Sequence, residues 1–164
     1  MHKGFTLIET LLVIAIISSL SAFGMMKIFA FQKDAKIDAT TNEILSTLKF
    51  ARNKSELGEI PYLMSLSDFL PDKLPSYGVR STDSGYGVNI QYETPTGVVN
   101  ESVGSDIAVP DDMSVNIPSG IFFERLTGKT SSSRIDILYK GSISKCIIIS
   151  SSGYFTVRES DLCI

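Results

Sequence analysis

The sequence is poor in the residues that most enzyme and metal sites use. Its 164 residues include one histidine, His2, and two cysteines, Cys146 and Cys163. These three residues cannot supply the four ligands of a usual zinc site. No histidine follows position 2 to act as a general base, and no Walker-type loop is present to hold phosphates. The sequence therefore argues against an enzyme, and no metal or cofactor is expected.

Charge is also sparse and falls in no block of one sign. Asp, Glu, Lys and Arg make up 20% of the chain, and the net charge is −3. Adjacent acids such as Asp111 and Asp112 fit solvated loop positions. The acidic balance argues against nonspecific nucleic-acid binding, although a local basic patch would survive that argument.

The N-terminal segment is long and apolar. After the basic leader His2-Lys3-Gly4, the only formal charge between Phe5 and Met26 is Glu9. About 22 helical residues make a rod of roughly 33 Å, enough to cross the hydrocarbon of a bilayer. A carboxylate near the start of such a helix costs a few kcal/mol in lipid, so Glu9 is a functional candidate whose partner must be found.

Two simpler interpretations of this segment are open. An ordinary secretory signal has small residues before its cleavage site, which Ser18 to Gly24 could supply, but its apolar core is uncharged and Glu9 does not fit it. A plain single-pass anchor with an incidental glutamate is the other alternative.

Beyond the apolar segment, the helix is expected to continue as an amphipathic stem. Ile37, Ile44, Leu48 and Ala51 fall at helical spacing between charged residues. Gly58 is the predicted C-terminal stop.

The rest of the chain predicts mainly strands. Prolines and Gly78 predict a loop from Glu59 to Ser84, with a short turn of helix at Ser65 to Leu70. Strands are predicted at 87–92, 114–117, 121–124, 134–139, 142–150 and 154–158, and the last two form a hairpin around Ser152-Gly153. One long helix followed by an antiparallel sheet is an α+β fold in which the sheet covers the stem.

The run Gly4-Phe5-Thr6-Leu7-Ile8-Glu9, with the apolar residues after it, closely resembles the class III signal of type IV pilins and type II secretion pseudopilins. The resemblance implies that a membrane peptidase cuts after Gly4 and methylates the new amine on Phe5. It also implies that Glu9 pairs with the terminal ammonium of a neighbouring subunit when helices bundle into a filament.

Later segments resemble the GspH/FimT group of minor pilins and pseudopilins. They are the stem residues 43–52, the strand 121–123 with Gly128 after it, and the hairpin from Ile147 to Gly153. The pilin fold so implied divides the chain into a leader (1–4), a transmembrane and assembly helix (5–31), an amphipathic stem (32–58) and a β-rich head (59–164).

The implied function is that of a minor pilin or pseudopilin in a type IV pilus or type II secretion filament. The implied partners are other pilins, the prepilin peptidase and the inner-membrane assembly platform. The resemblance places the chain in the bacterial cytoplasmic membrane, crossing once, with its head on the extracytoplasmic side. The alternatives are a DNA-binding minor pilin of a competence pilus and a membrane-anchored binding protein that never assembles.

The two cysteines lie on the side of the membrane that is oxidising in many cells. A disulfide between Cys146 and Cys163 would close a loop of about 18 residues and contribute about 3 kcal/mol in the chain-entropy model. Two unpaired thiols are the alternative.

Some FimT-like minor pilins bind DNA through arginines that follow a glycine near the C-terminal hairpin. After Gly153 this chain keeps only Arg158, and Glu159 beside it opposes phosphate binding. Arg134 and Lys145 could contribute to a patch, but scattered basic residues on sheet edges more often prevent edge pairing.

Overall fold

In the computed structural model the chain begins with one long helix. The structure describes residues 6–60, 75–83, 85–118 and 120–163, the side chains of 22–26 excepted. Helix α1 spans Leu7–Leu57, which is 51 residues. The chain divides into two compact units, Met1–Asp38 and Ala39–Ile164.

The helix ends as the sequence predicts. Gly58 takes a positive φ of 63°, which favours glycine because a Cβ is strained there. The Gly58 N–H donates to Ser55 O at 3.1 Å, and the Glu59 N–H donates to Lys54 O at 3.2 Å. This pair of bonds is a Schellman motif, which satisfies two of the carbonyls left free by the last turn.

Two antiparallel sheets follow the helix. The strands are β1 Ser76–Thr82, β2 Gly85–Thr94, β3 Gly97–Ser102, β4 Ile107–Ala108, β5 Met113–Asn116, β6 Ile121–Phe122, β7 Ser133–Tyr139, β8 Ser142–Ile149 and β9 Phe155–Glu159. The first sheet has the order β3-β2-β1-β6, with β4 also paired to β2. The second has the order β5-β7-β8-β9, and a 3₁₀ turn at Ser160–Leu162 follows it. The α+β fold is confirmed and is pilin-like.

The predicted loop from Glu59 to Ser84 is wrong where β1 lies. This strand pairs with β2 along its whole length, and Gly78 pairs with Phe122 of β6. A Cβ on Gly78 would collide with the Ile121 carbonyl and the Phe122 ring. The glycine therefore permits a close approach between strands instead of breaking one. The helical turn predicted at Ser65 to Leu70 lies outside the described residues.

The single sheet expected from the sequence is in fact two, and the prediction omitted β3 and β4. The other predicted strands are present within a few residues of their expected bounds. Between α1 and the sheets lies an apolar core to which Ile44, Leu48 and Ala51 contribute fully buried side chains. These are three of the four residues predicted to form the apolar stripe of the stem, and Ile37 is buried as well.

Candidate functional site

The first turn of α1 is closed by Thr6 and Glu9. The Thr6 N–H and its hydroxyl both donate to Glu9 Oε2, each at 2.9 Å, and the Glu9 N–H lies 3.4 Å from Thr6 Oγ1. This reciprocal arrangement is a capping box, in which the side chains three residues apart satisfy backbone donors that have no partner within the helix. Within a single chain, the Glu9 carboxylate therefore has local hydrogen bonds.

The turns that follow are apolar on every side. Leu7 and Ile8 are 79% and 73% exposed, and the large apolar side chains from Leu11 to Leu20 are also exposed. The polar side chains among them bond to their own helix: Ser18 donates to Ile14 O at 2.7 Å, and Ser21 to Ile17 O at 2.8 Å. Such back-bonding leaves the hydroxyls little need of an outside partner.

The predicted processing residues, Gly4 and Phe5, lie outside the described residues. Across the described ranges, no helix combines the length and the apolar character needed to cross a membrane.

Residues 1–25 match the family described as the prokaryotic N-terminal methylation motif. The chain carries a class III prepilin signal. No curated protein and no solved structure matches it significantly. This signal and the α+β fold resemble those of type IV pilin-like proteins.

The end of the stem meets the first sheet at Ser55. The Ser55 side chain is fully buried. Its hydroxyl donates to Phe123 O at 2.6 Å and accepts the Tyr77 N–H at 3.0 Å, while its own carbonyl accepts the Leu126 N–H at 3.0 Å. Burial raises the pKa of the Tyr77 phenol above its ordinary value. The sequence analysis missed Ser55, although it continues the spacing of Leu48 and Ala51.

Arg52 joins the stem to the β8–β9 turn. Its guanidinium pairs with Glu56 at 2.8 Å, donates to Gly153 O at 2.9 Å and lies 5.4 Å from the centre of the Tyr154 ring. A Cβ on Gly153 would meet the Gly128 carbonyl. The structure thus brings together the stem, Gly128 and the hairpin, which are the three segments on which the resemblance to the GspH/FimT group rests.

Cys146 and Cys163 form a disulfide with a Cα–Cα distance of 5.9 Å. Cys146 lies on β8 opposite Asp136 and Arg158, and is fully buried. Arg134 donates to the Cys163 carbonyl at 2.7 Å. The C-terminal segment is thereby held against the second sheet by one covalent bond and one charged hydrogen bond.

The three basic residues considered for DNA do not form one patch. Arg134 pairs with Asp136 at 2.9 Å, and Lys145 pairs with Glu159 at 3.0 Å. The strand register puts Arg134 and Arg158 on one face of the sheet and Lys145 on the other, because neighbouring residues of a strand point to opposite faces. Of these three residues, Arg158 alone is exposed without an ion pair in the part of the chain that the structure describes.

Proposed function

We propose that the protein is a minor pilin or pseudopilin, processed after Gly4, methylated on Phe5 and held in the bacterial cytoplasmic membrane with its head on the extracytoplasmic side. It assembles through its N-terminal helix into a type IV pilus or type II secretion filament. The observation that carries the proposal is the capped carboxylate of Glu9 at the start of a helix whose next three turns are exposed and apolar. The match of residues 1–25 to the methylation motif supports it.

The chemistry of Glu9 explains why a neighbour is needed. The two Thr6 donors satisfy one carboxylate oxygen but leave its negative charge uncompensated. A charge in lipid is costly unless it is paired. The new terminal amine on Phe5 of an adjacent subunit is a cation at the same depth of the helix bundle. Pairing the two groups sets the register between subunits.

The surface of the helix suits both environments that the proposal requires. A helix that is apolar all round is stable in lipid or inside a bundle of similar helices. Its serine hydroxyls bond to the helix's own carbonyls, so neither environment leaves them unsatisfied.

Substitution of Glu9 tests the proposal, because valine and glutamine separate charge from capping. Glu9→Val removes both, whereas Glu9→Gln keeps an oxygen that can accept the Thr6 N–H. Both variants should insert normally and fold their heads. Both should lose at least about tenfold in cross-linking to the other pilins in the native host, since an unpaired ammonium remains in the bundle.

Glu43→Gln is the matched control, because Glu43 is an exposed acid farther along the same helix. It should assemble as the wild type does. Wild-type assembly of Glu9→Gln together with failure of Glu9→Val would assign Glu9 to capping alone and contradict the proposal.

A further inference from the structure

The last strand of the second sheet, β9, has one unpaired edge in the described part of the chain. Within those residues β9 pairs with β8 on one side only. The Ser150 N–H donates to Tyr154 O at 3.0 Å, and the pairing continues as Ile148 with Thr156 and Cys146 with Arg158. In an antiparallel ladder, hydrogen-bonded pairs alternate with pairs that are not hydrogen-bonded. Tyr154, Thr156 and Arg158 are in the hydrogen-bonded pairs. The N–H and C=O groups of the residues between and after them, Phe155, Val157 and Glu159, therefore point away from β8. They are donors and acceptors for an added strand.

A groove of about 530 Å³ runs beside this edge. Leu45, Lys49, Arg52, Asn53 and Glu56 of α1 line one wall, and Tyr154, Phe155 and Val157 line the other. Lys49 is exposed and has no ion pair within the described part of the chain. The groove therefore offers apolar contacts and the unpaired ammonium of Lys49. Because the net charge of the protein is −3, an acidic segment of a second copy is available to pair with this cation.

The edge strand of the first sheet, β3, has side chains that complement the groove beside β9. β3 is the terminal strand of its sheet among the described residues, and every residue except Val99 is exposed. It contains no proline, lysine or arginine, the residues that commonly prevent edge pairing. Val99 and Glu101 are two residues apart and so share one face. This face presents an apolar side chain and an acid.

From these two edges we infer that β3 of one copy adds to the free edge of β9 on a second copy. Val99 then enters the groove, and Glu101 lies against Lys49. Main-chain bonds supply the attachment and the alternate side chains supply the specificity, as in other strand additions. The two surfaces differ, so the contact is head-to-tail and can repeat along a row of subunits. This inference rests on the proposed function and adds to it one specific contact between the heads of neighbouring subunits.

Photo-cross-linking of the full-length chain in detergent tests the contact. Isotopically light and heavy copies are mixed, with a photoreactive amino acid at Asn53, an exposed residue of the groove. Light-to-heavy peptides should join position 53 to residues 97–102. The same probe at Ser114, an exposed residue of β5 at the opposite edge of this sheet, should give none of these peptides. Cross-links elsewhere, or a yield no greater than from Ser114, would overturn the inference.

Charge exchange tests the choice of β3. Lys49→Glu and Glu101→Lys should each lower the yield about fivefold, and the double variant should restore it. A yield that neither substitution changes would overturn the pairing with β3. The cross-link should persist in Glu9→Val. Loss of the cross-link in Glu9→Val would mean that helix association, and not strand addition, makes the contact, which would overturn this inference. Wild-type assembly of Glu9→Val would instead contradict the proposed function, so the two failures can be told apart.

Discussion

At the scale of single residues, Ser55 shows how one hydroxyl can hold three parts of the head together. It bonds to the backbone beside β6 and to that of β1 while lying fully buried on α1. Removing a hydroxyl from such a place leaves a buried donor and a buried acceptor without partners. Each unsatisfied group carries a desolvation penalty.

Ser55→Ala should therefore lower the free energy of unfolding by about 1–3 kcal/mol. The chain has no tryptophan, and all six tyrosines lie after residue 60, so tyrosine fluorescence during denaturation reports on the head. Ser46→Ala is the control, because the exposed Ser46 hydroxyl donates to Glu43 O in its own helix and has no other partner among the described residues. It should be neutral or slightly stabilising. Equal effects of the two variants would contradict the role given to Ser55.

Gly153 is a second residue at which close packing can be tested. Gly153 and Gly141 have nearly the same backbone angle, with φ of 78° and 80°. Of these two glycines, a Cβ would meet other atoms at Gly153 but not at Gly141. Gly141→Ala should show the backbone strain alone, about 1–2 kcal/mol. Gly153→Ala should be more destabilising in the same denaturation measurement, because the Gly128 carbonyl must move. Equal losses of unfolding free energy in the two variants would show that Gly153 and the Gly128 carbonyl are not closely packed.

Sequence could predict the residues whose role is local. Gly58 ends the helix, and Glu9 lies in its first turn, because both roles depend on neighbours in the chain. Ser55 and Gly153 depend on contacts with segments distant in sequence, which periodicity does not reveal.

At the scale of elements, the same distinction explains which strands were predicted. β7 alternates clearly, with Ile135 and Ile137 facing the core, and was found from its pattern. β1 follows a proline and contains Gly78, so its local signals are those of a loop. It becomes a strand because β2 and β6 pair with it on both sides. β3 is exposed on both faces and shows no apolar alternation.

The disulfide links β8 to the C-terminal segment, and its contribution to stability can be measured. It closes a loop with a sequence separation of 17. Cys163→Ser should lower the free energy of unfolding by about 3 kcal/mol in the chain-entropy model. A reductant should have the same effect on the wild type and none on the variant. An unfolding transition of the wild type that reductant does not change would contradict this contribution.

At the scale of the whole molecule, the chain combines a prepilin signal, a 51-residue helix and a two-sheet head. The described contacts of the head are structural: ion pairs, a disulfide and a buried hydroxyl. The exposed features of the described residues include the apolar turns at the start of α1 and the unpaired edges of β3 and β9. Such surfaces suit a subunit that acts through its neighbours, which is the central claim of the proposed function.

The mass of the N-terminal peptide tests that claim most directly, on full-length protein purified from its own host. The account predicts a peptide that begins at Phe5 and is one methyl group heavier than the unmodified sequence. In a Gly4→Leu variant, the uncut precursor should accumulate in the membrane, because the residue before the cleaved bond is changed. A native protein that still begins at Met1 would contradict the account.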